Sequence, residues 1–345
     1  MTPRRPSANL NPPGRPGKWP ADRLARLLRD HVAPLSDDVL LGPRIGEDAA
    51  VVRVGSERLV VATDPITFAT DAIGHYAVVV NANDVAVTGA RPRFFLATVL
   101  LPVDADDAMA ETIFSGIAEA CRALDCLWVG GHTERAADLH RPVVVGTMIG
   151  DLGDRPLVSS GGARAGDVVL MTKGAGIEAT ALIAREKGAQ LAGAVGKGIL
   201  ARAREYLTDP GISIVPEARI ACDRGVRALH DVTEGGVVTG LWEMAEAAGL
   251  GLQVNADAIF VRDETRALCE AAGIDPLEAI GSGSLLAAAP PEKAPEILAA
   301  LGEAGIRAAR VATFGPPGAE RTITRAGRTV PLVPPPTDAI AKLYT

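Results

Sequence analysis

The stretch VVVNANDVAVTGARP, residues 78–92, constrains this chain more than any other, because its valines and alanines ask for burial while Asn81, Asn83 and Asp84 stand among them. At about 3.6 residues per turn, Ile73, Ala77, Val80, Asp84 and Val87 share one face of a helix expected over residues 72–88, so Asp84 interrupts an apolar stripe. A lone buried carboxylate costs on the order of several kcal/mol unless a cation or hydrogen-bond donors compensate it. Something positive is expected near Asp84. Taken alone, such an acid reads most simply as a cap or a partner of neighbouring backbone.

It is not alone. GEDAAVV places Glu47 and Asp48 at the mouth of one β-rich run, and VVATDPITF places Asp64 at the end of the next. Carboxylates grouped without balancing Lys or Arg are what hard divalent cations need, and magnesium suits oxygen-only chemistry better than zinc. Local bonding and a shared Mg2+ both remain open on spacing alone. WVGGHTE adds His132 and Glu134 after two glycines that let a ligand approach the backbone closely, although a histidine there reads equally as a solvated loop residue.

A chain of 345 residues exceeds one typical core, so two domains are expected. Apolar runs reach about 6 to 8 residues, far below the roughly 20 that span a bilayer, so no membrane segment is expected. The first residues, MTPRRPSANLNPPGRPGKWP, lack the apolar centre of a secretory signal and read as a disordered arm, which points to the cytoplasm. Four cysteines without CxxC spacing suggest neither zinc nor disulfides. A net charge of -7 argues against nucleic acid as the main ligand.

Strands are expected at AAVVRV, RLVVAT, RFFLATVLL, CLWVGG and PVVVGTMIG, with helices over 72–88 and 106–123. Glycines cluster at SSGGARAGD and mark a boundary. Beyond it come a strand at DVVLMTK, helices from 177, near 198–207 and over 217–229, a helix after HDVTEGG, and strands near GLQV, SGSLLAAA, RAARVATFG and RTVPLV. This gives a flexible arm over 1–35, domains over 36–155 and 156–335, and an exposed tail over 336–345.

Two glycine-bearing segments suggest anion sites. DVVLMTKGAGIEATALIA satisfies G-x-G-x-x-A but lacks the second parallel strand and acid of a dinucleotide fold, and Lys173 beside it reads as a phosphate ligand or as merely solvated. In HDVTEGG, Asp231 and Thr233 precede Gly235 and Gly236 at a helix start, where free N–H groups would receive a phosphate or simply be capped.

Taken together, GEDAAVV, ATDPITF, VNANDVAVTGARP, HDVTEGG and KGAGIEATALIA resemble, in order, the motifs of the PurM-like ATP-binding superfamily, which includes AIR synthetase, thiamine-monophosphate kinase and the hydrogenase maturation protein HypE, the nearest branch. The likeness runs from about Gly42 to Val333. It implies an α/β N-terminal domain plus an α+β C-terminal domain, a homodimer built on the first, and ATP between the two. On that basis Asp48, Asp64 and Asp84 hold magnesium. Asn83, Ser160, Gly161, Gly162, Lys173, Asp231, Gly235 and Gly236 contact the nucleotide or its phosphates, and Asp84, His132 and Glu134 are the catalytic candidates. His132 stands where many relatives carry an acid, so that either Glu134 substitutes for it or one metal ion is lost.

The implied reaction phosphorylates a carbonyl or amide oxygen of a small-molecule substrate, then dehydrates or cyclises it, releasing ADP and phosphate. The alternatives are a kinase similar to thiamine-monophosphate kinase and a non-catalytic nucleotide-binding partner protein in a maturation complex. The chain ends LYT, without the terminal cysteine that carries HypE's substrate, so dehydration of a carbamoyl thiol on its own tail is not expected.

Overall fold

Residues 18–344 are described by the structure, a computed structural model. The first unit runs α1 (Ala21–His31), β1 (Val39–Leu41), β2 (Ala50–Val54), β3 (Glu57–Ile66), α2 (Ile73–Ala86), β4 (Arg91–Leu101), α3 (Asp107–Ala123), β5 (Leu127–Arg135) and β6 (Val143–Asp151). Its strands lie in the order β1-β2-β3-β6-β4-β5. Only the β4–β5 pair is parallel.

Burial alternates residue by residue along β6, as period 2 demands of a sheet with one covered face. On the covered face, Gly146 and Gly150 let α2 lie flush. A Cβ at Gly146 would fall 2.3 Å from Asn81 Nδ2, and one at Gly150 2.2 Å from Val85 Cγ1. All of α2 except His75 is buried, as its all-round apolar sequence predicts.

The second unit runs β7 (Val168–Thr172), α4 (Ile177–Glu186), α5 (Gly188–Val195), α6 (Lys197–Glu205), α7 (Val215–Cys222), β8 (Ala228–Asp231), α8 (Gly236–Ala248), β9 (Leu252–Asn255), α9 (Asp263–Ala272), β10 (Leu285–Ala289), α10 (Ala294–Glu303), β11 (Ala308–Phe314), β12 (Arg321–Arg325) and β13 (Arg328–Pro331). The sheet order is β13-β12-β9-β11-β7-β10-β8. Every residue of the inner strands β7 and β10 and of the edge strand β8 is buried, so this end of the sheet is covered on both faces. One apolar cluster extends from α2 to α4 and α9, so the two units pack on each other.

Three expectations need correction. The helix expected over 217–229 ends at Cys222, where Gly225 at φ 76° lets the N–H of Val226 reach the carbonyl of Ala221. This is a helix stop of the Schellman type, and the chain then enters β8. The arm expected to be disordered holds α1, whose residues are all at least partly exposed, while residues 1–17 lie outside the described region. The tail expected to be exposed is docked. Ala339, Ile340 and Ala341 are buried, and the hydroxyl of Tyr344 donates to the carbonyl of Phe68 at 2.8 Å. The helices α9 and α10 lie in stretches to which the sequence reading assigned no element.

Among the described residues no helix is long and apolar enough to cross a membrane. Replacing Gly146 with Ala should destabilise the fold by about 1–3 kcal/mol, because the new methyl drives α2 off the sheet. Chemical denaturation checks this, and an unchanged midpoint would show that the close approach does not matter.

Candidate functional site

Four acids gather where the two units meet. Asp48 lies just before β2, Asp64 in β3, Asp84 in α2 and Asp231 at the end of β8. Asn81 sets the relation of the first-unit acids. Its side-chain oxygen accepts from the N–H of Asp64 at 2.8 Å, and its amide nitrogen donates to the carbonyls of Asp64 and Ala77 at 3.2 and 2.9 Å. Through this residue α2 is tied to β3, and Asp64 and Asp84 open onto one cavity of about 300 Å³ that Asp48, Glu47, Thr233 and Glu243 also line.

The acids are poorly compensated. Asp84 Oδ2 and both carboxylate oxygens of Asp231 are buried without a hydrogen-bond partner. Burial first, then the charges of Asp64, Asp231 and Asp48, push the Asp84 carboxyl well above its ordinary range. Burial and Glu234 raise Asp64 to about 7, and burial and Asp48 raise Asp231 to about 8. A cation in the cavity would relieve all of them at once.

The chain supplies part of that cation. His230 is buried between Asp48 Oδ2, 2.9 Å from Nδ1, and Glu243 Oε2, 3.1 Å from Nε2. Burial opposes a charged ring, but these two carboxylates hold its pKa well above the usual imidazole value. Glu243 in turn pairs with the ammonium of Lys18 at 3.3 Å. Burial tends to raise Glu243, yet Lys18 and His230 bring it down to about 2. Lys18, His230 and Glu243 were not found from the sequence. His230 and Glu243 bracket the glycine helix start at positions that resemble ordinary core and surface residues, and Lys18 sits in a segment that read as disordered.

A second chamber of about 350 Å³ shares Lys18 and Glu243 with the first and is walled by Trp19, Trp242 and Pro334, Pro335 and Pro336. At its edge the N–H of Gly235 donates to Asp338 Oδ2 at 2.6 Å. The helix start therefore binds an anion, as its geometry predicts, and that anion is the chain's own tail. Burial, only partly offset by the N–H groups of Gly235 and Ile340, raises Asp338 to about 6.

Several expected ligands have other partners. Asn83 gives its amide to the carbonyl of Ile212 and its oxygen to the N–H of Ile214, both at 2.9 Å, so it clamps the units together instead of facing the cavity. The ammonium of Lys173 lies 2.6 Å from Glu217 Oε1 and donates to the carbonyls of Gly211 and Ser213. It is a buried tether, since no phosphate reaches it without breaking that pair. The N–H groups of Ser160 and Gly161 donate to the Glu47 carboxylate at 3.1 and 3.3 Å, and a Cβ at Gly162 would meet the carbonyl of Arg227 at 2.3 Å. This loop is glycine-rich for packing.

A Cβ at Gly236 would lie 2.6 Å from the carbonyl of Leu277, so its role is also close approach. His132 and Glu134 pair with each other at 3.3 Å on the exposed edge strand β5, outside both chambers. Gly131 beside them is required by the carbonyl of Ala97, 1.9 Å from where its Cβ would be.

Among the described residues no three His, Cys, Asp or Glu side chains form a ready-made metal cage. The oxygen-only donors instead suit a hard cation that keeps water or ligand oxygens in much of its shell.

Two mixed α and β units with carboxylates collected in the cleft between them define the PurM-like class. The chain belongs to the AIR synthase related protein family, matching its N-terminal domain over residues 46–152 and its C-terminal domain over 164–323. It is 31% identical over 266 residues to the hydrogenase expression/formation protein HupE of Azotobacter chroococcum mcd 1, covering 75% of each chain. It is 30% identical over 261 residues to the carbamoyl dehydratase HypE of Azotobacter vinelandii, covering 74% of each. A solved structure of the hydrogenase maturation protein HypE in complex with ATP matches with a TM-score of 0.68 and 26% identity, over 92% of this chain and 95% of that one.

Because the Asp84 carboxylate is uncompensated, Asp84→Asn should stabilise the metal-free protein at pH 8 by about 1 kcal/mol or more, a rise of about 2–4 °C in Tm. A scan showing the variant melting below the wild type would mean that Asp84 is satisfied by contacts within the chain.

Proposed function

We propose that this chain is a magnesium-dependent, ATP-using enzyme that activates a carbonyl or amide oxygen of a small substrate by phosphorylation, with release of ADP and phosphate. The observation that carries this reading is the set of buried, partnerless oxygens of Asp84 and Asp231, gathered with Asp48 and Asp64 at the interdomain cleft. Magnesium bound there would neutralise charge on the transferred phosphoryl group.

The chain's own residues do the rest. Asn81 fixes Asp64 against α2, and His230 orients Asp48 while balancing part of its charge. Asp231 brings the second unit to the same ion, so that binding would lock the units in register. Lys18 stands at the border of the two chambers, where its ammonium can exchange Glu243 for an anionic phosphate oxygen. Asp338 holds the amide of Gly235 until a stronger anion takes its place.

The relatives named carbamoyl dehydratase support an amide-like oxygen as the group activated, since removal of water from a carbamoyl group needs that oxygen turned into a leaving group. Relatives named for hydrogenase expression and formation also suggest a maturation partner protein. A homodimer is part of the proposal. In β5, at the edge of the first sheet, Leu127 and Val129 are more than half exposed, and a second copy is the simplest cover for such an edge.

ADP release assayed against amides, formamidines and carbamoyl compounds tests the reaction. Free phosphate alongside ADP is the expected product, whereas a stable phosphorylated substrate would mark a kinase. Asp84→Asn should lower magnesium-dependent ATP turnover by about a hundredfold or more while the fold survives. Full turnover in that variant would contradict the reading.

A further inference from the structure

A cavity of about 360 Å³ lies on the seam between the two units and shares no residue with the acid cleft. Gly89, Arg91 and Asp125 reach it from the first unit, Arg155 from the segment joining the units, and Arg219 and Cys222 from α7. Its walls carry three guanidinium groups against one carboxylate. Arg91 is paired with Asp125.

The guanidinium groups of Arg155 and Arg219 have no hydrogen bond or ion pair among the described residues; the bonds at Arg155 use its backbone, whose carbonyl accepts from Arg58 and whose N–H donates to the carbonyl of Leu152. Between them the floor is apolar, made by Ala90, Pro92, Leu124 and Val215. Burial, with Arg155 opposing and Asp223 adding to it, pushes the Cys222 thiol up to about 12, so the floor brings no competing anion at neutral pH.

We propose that this seam cavity binds a small organic anion, a molecule with an apolar body and a phosphate or carboxylate group gripped by Arg155 and Arg219. Guanidinium forks match both groups bidentately, and the volume is that of a small-ligand pocket. The site is separate from the proposed ATP cleft and does not depend on that reading. It touches the cleft's machinery in one way. Ala86 at the cavity wall is the last residue of α2, two positions beyond Asp84, so an occupant contacts the end of the helix that carries the acid.

The test uses the full chain freed of metal with EDTA, titrated calorimetrically at low salt with pyrophosphate and, separately, with citrate. One saturable site is expected for at least one probe, weakened about tenfold or more by Arg155→Gln and by Arg219→Gln and unchanged by Asp84→Asn. Bound probe should also slow alkylation of Cys222, mapped by mass spectrometry. Binding of pyrophosphate alone assigns a phosphate ligand, and binding of citrate alone a carboxylate. Failure of both probes to bind, or arginine variants that bind as the wild type does, would overturn the proposal. So would binding lost in Asp84→Asn and kept in the arginine variants, because the anion would then sit in the acid cleft.

Discussion

Carboxylates withdrawn from water without donors repel one another, and the architecture of this chain is arranged around holding several of them together. Asp84 stands on a helix buried almost all round, so its charge can leave only through the interdomain cavity. The helix keeps that position because Gly146 and Gly150 admit it to the sheet and because Asn81 bonds it to the backbone at Asp64. Packing and electrostatics thus act against each other at one place. The apolar contacts of α2 supply the stability that the acids cost.

The cleft also contains counter-charges supplied by the chain itself. On the acid side, His230 and Lys18 stand as cations beside Asp48 and Glu243. On the amide side, the Asp338 carboxylate occupies the N–H of Gly235. Each is a partial match. Lys18 is still about 43% exposed at its side chain, and neither cation reaches the open oxygens of Asp231 or Asp84 closely enough to bond them. A metal ion carrying phosphates would satisfy both sides more fully, and the terminal segments that bear Lys18 and Asp338 are the parts that would have to yield.

Much of this was legible in the sequence. The all-round apolar run of α2, the strand at β6 and the positions of Asp48, Asp64 and Asp84 were readable because apolar runs and element ends are local properties. Roles that depend on distant partners were not. Asn83 resembled a ligand until its amide met the backbone of Ile212 and Ile214, and Lys173 until Glu217 claimed it. Glycines at 131, 161 and 162 read as openings for a ligand, yet each answers a carbonyl oxygen from elsewhere in the fold. The docked tail escaped notice because its prolines signal stiffness, which is compatible with exposure and with packing alike. Lys18 gave no signal, since a lysine in a Pro- and Gly-rich segment has no periodicity to place it.

The central claim is that the acids of the two units share one divalent ion. Anomalous scattering from crystals soaked in Mn2+ and a non-hydrolysable ATP analogue measures this directly. The account predicts a manganese peak in the interdomain cavity within about 2.0–2.3 Å of carboxylate oxygens from Asp84 and at least one of Asp48, Asp64 and Asp231, with phosphate oxygens completing the shell. Nucleotide bound with no ion there, or an ion held by other residues while Asp84 stays unligated, would contradict it.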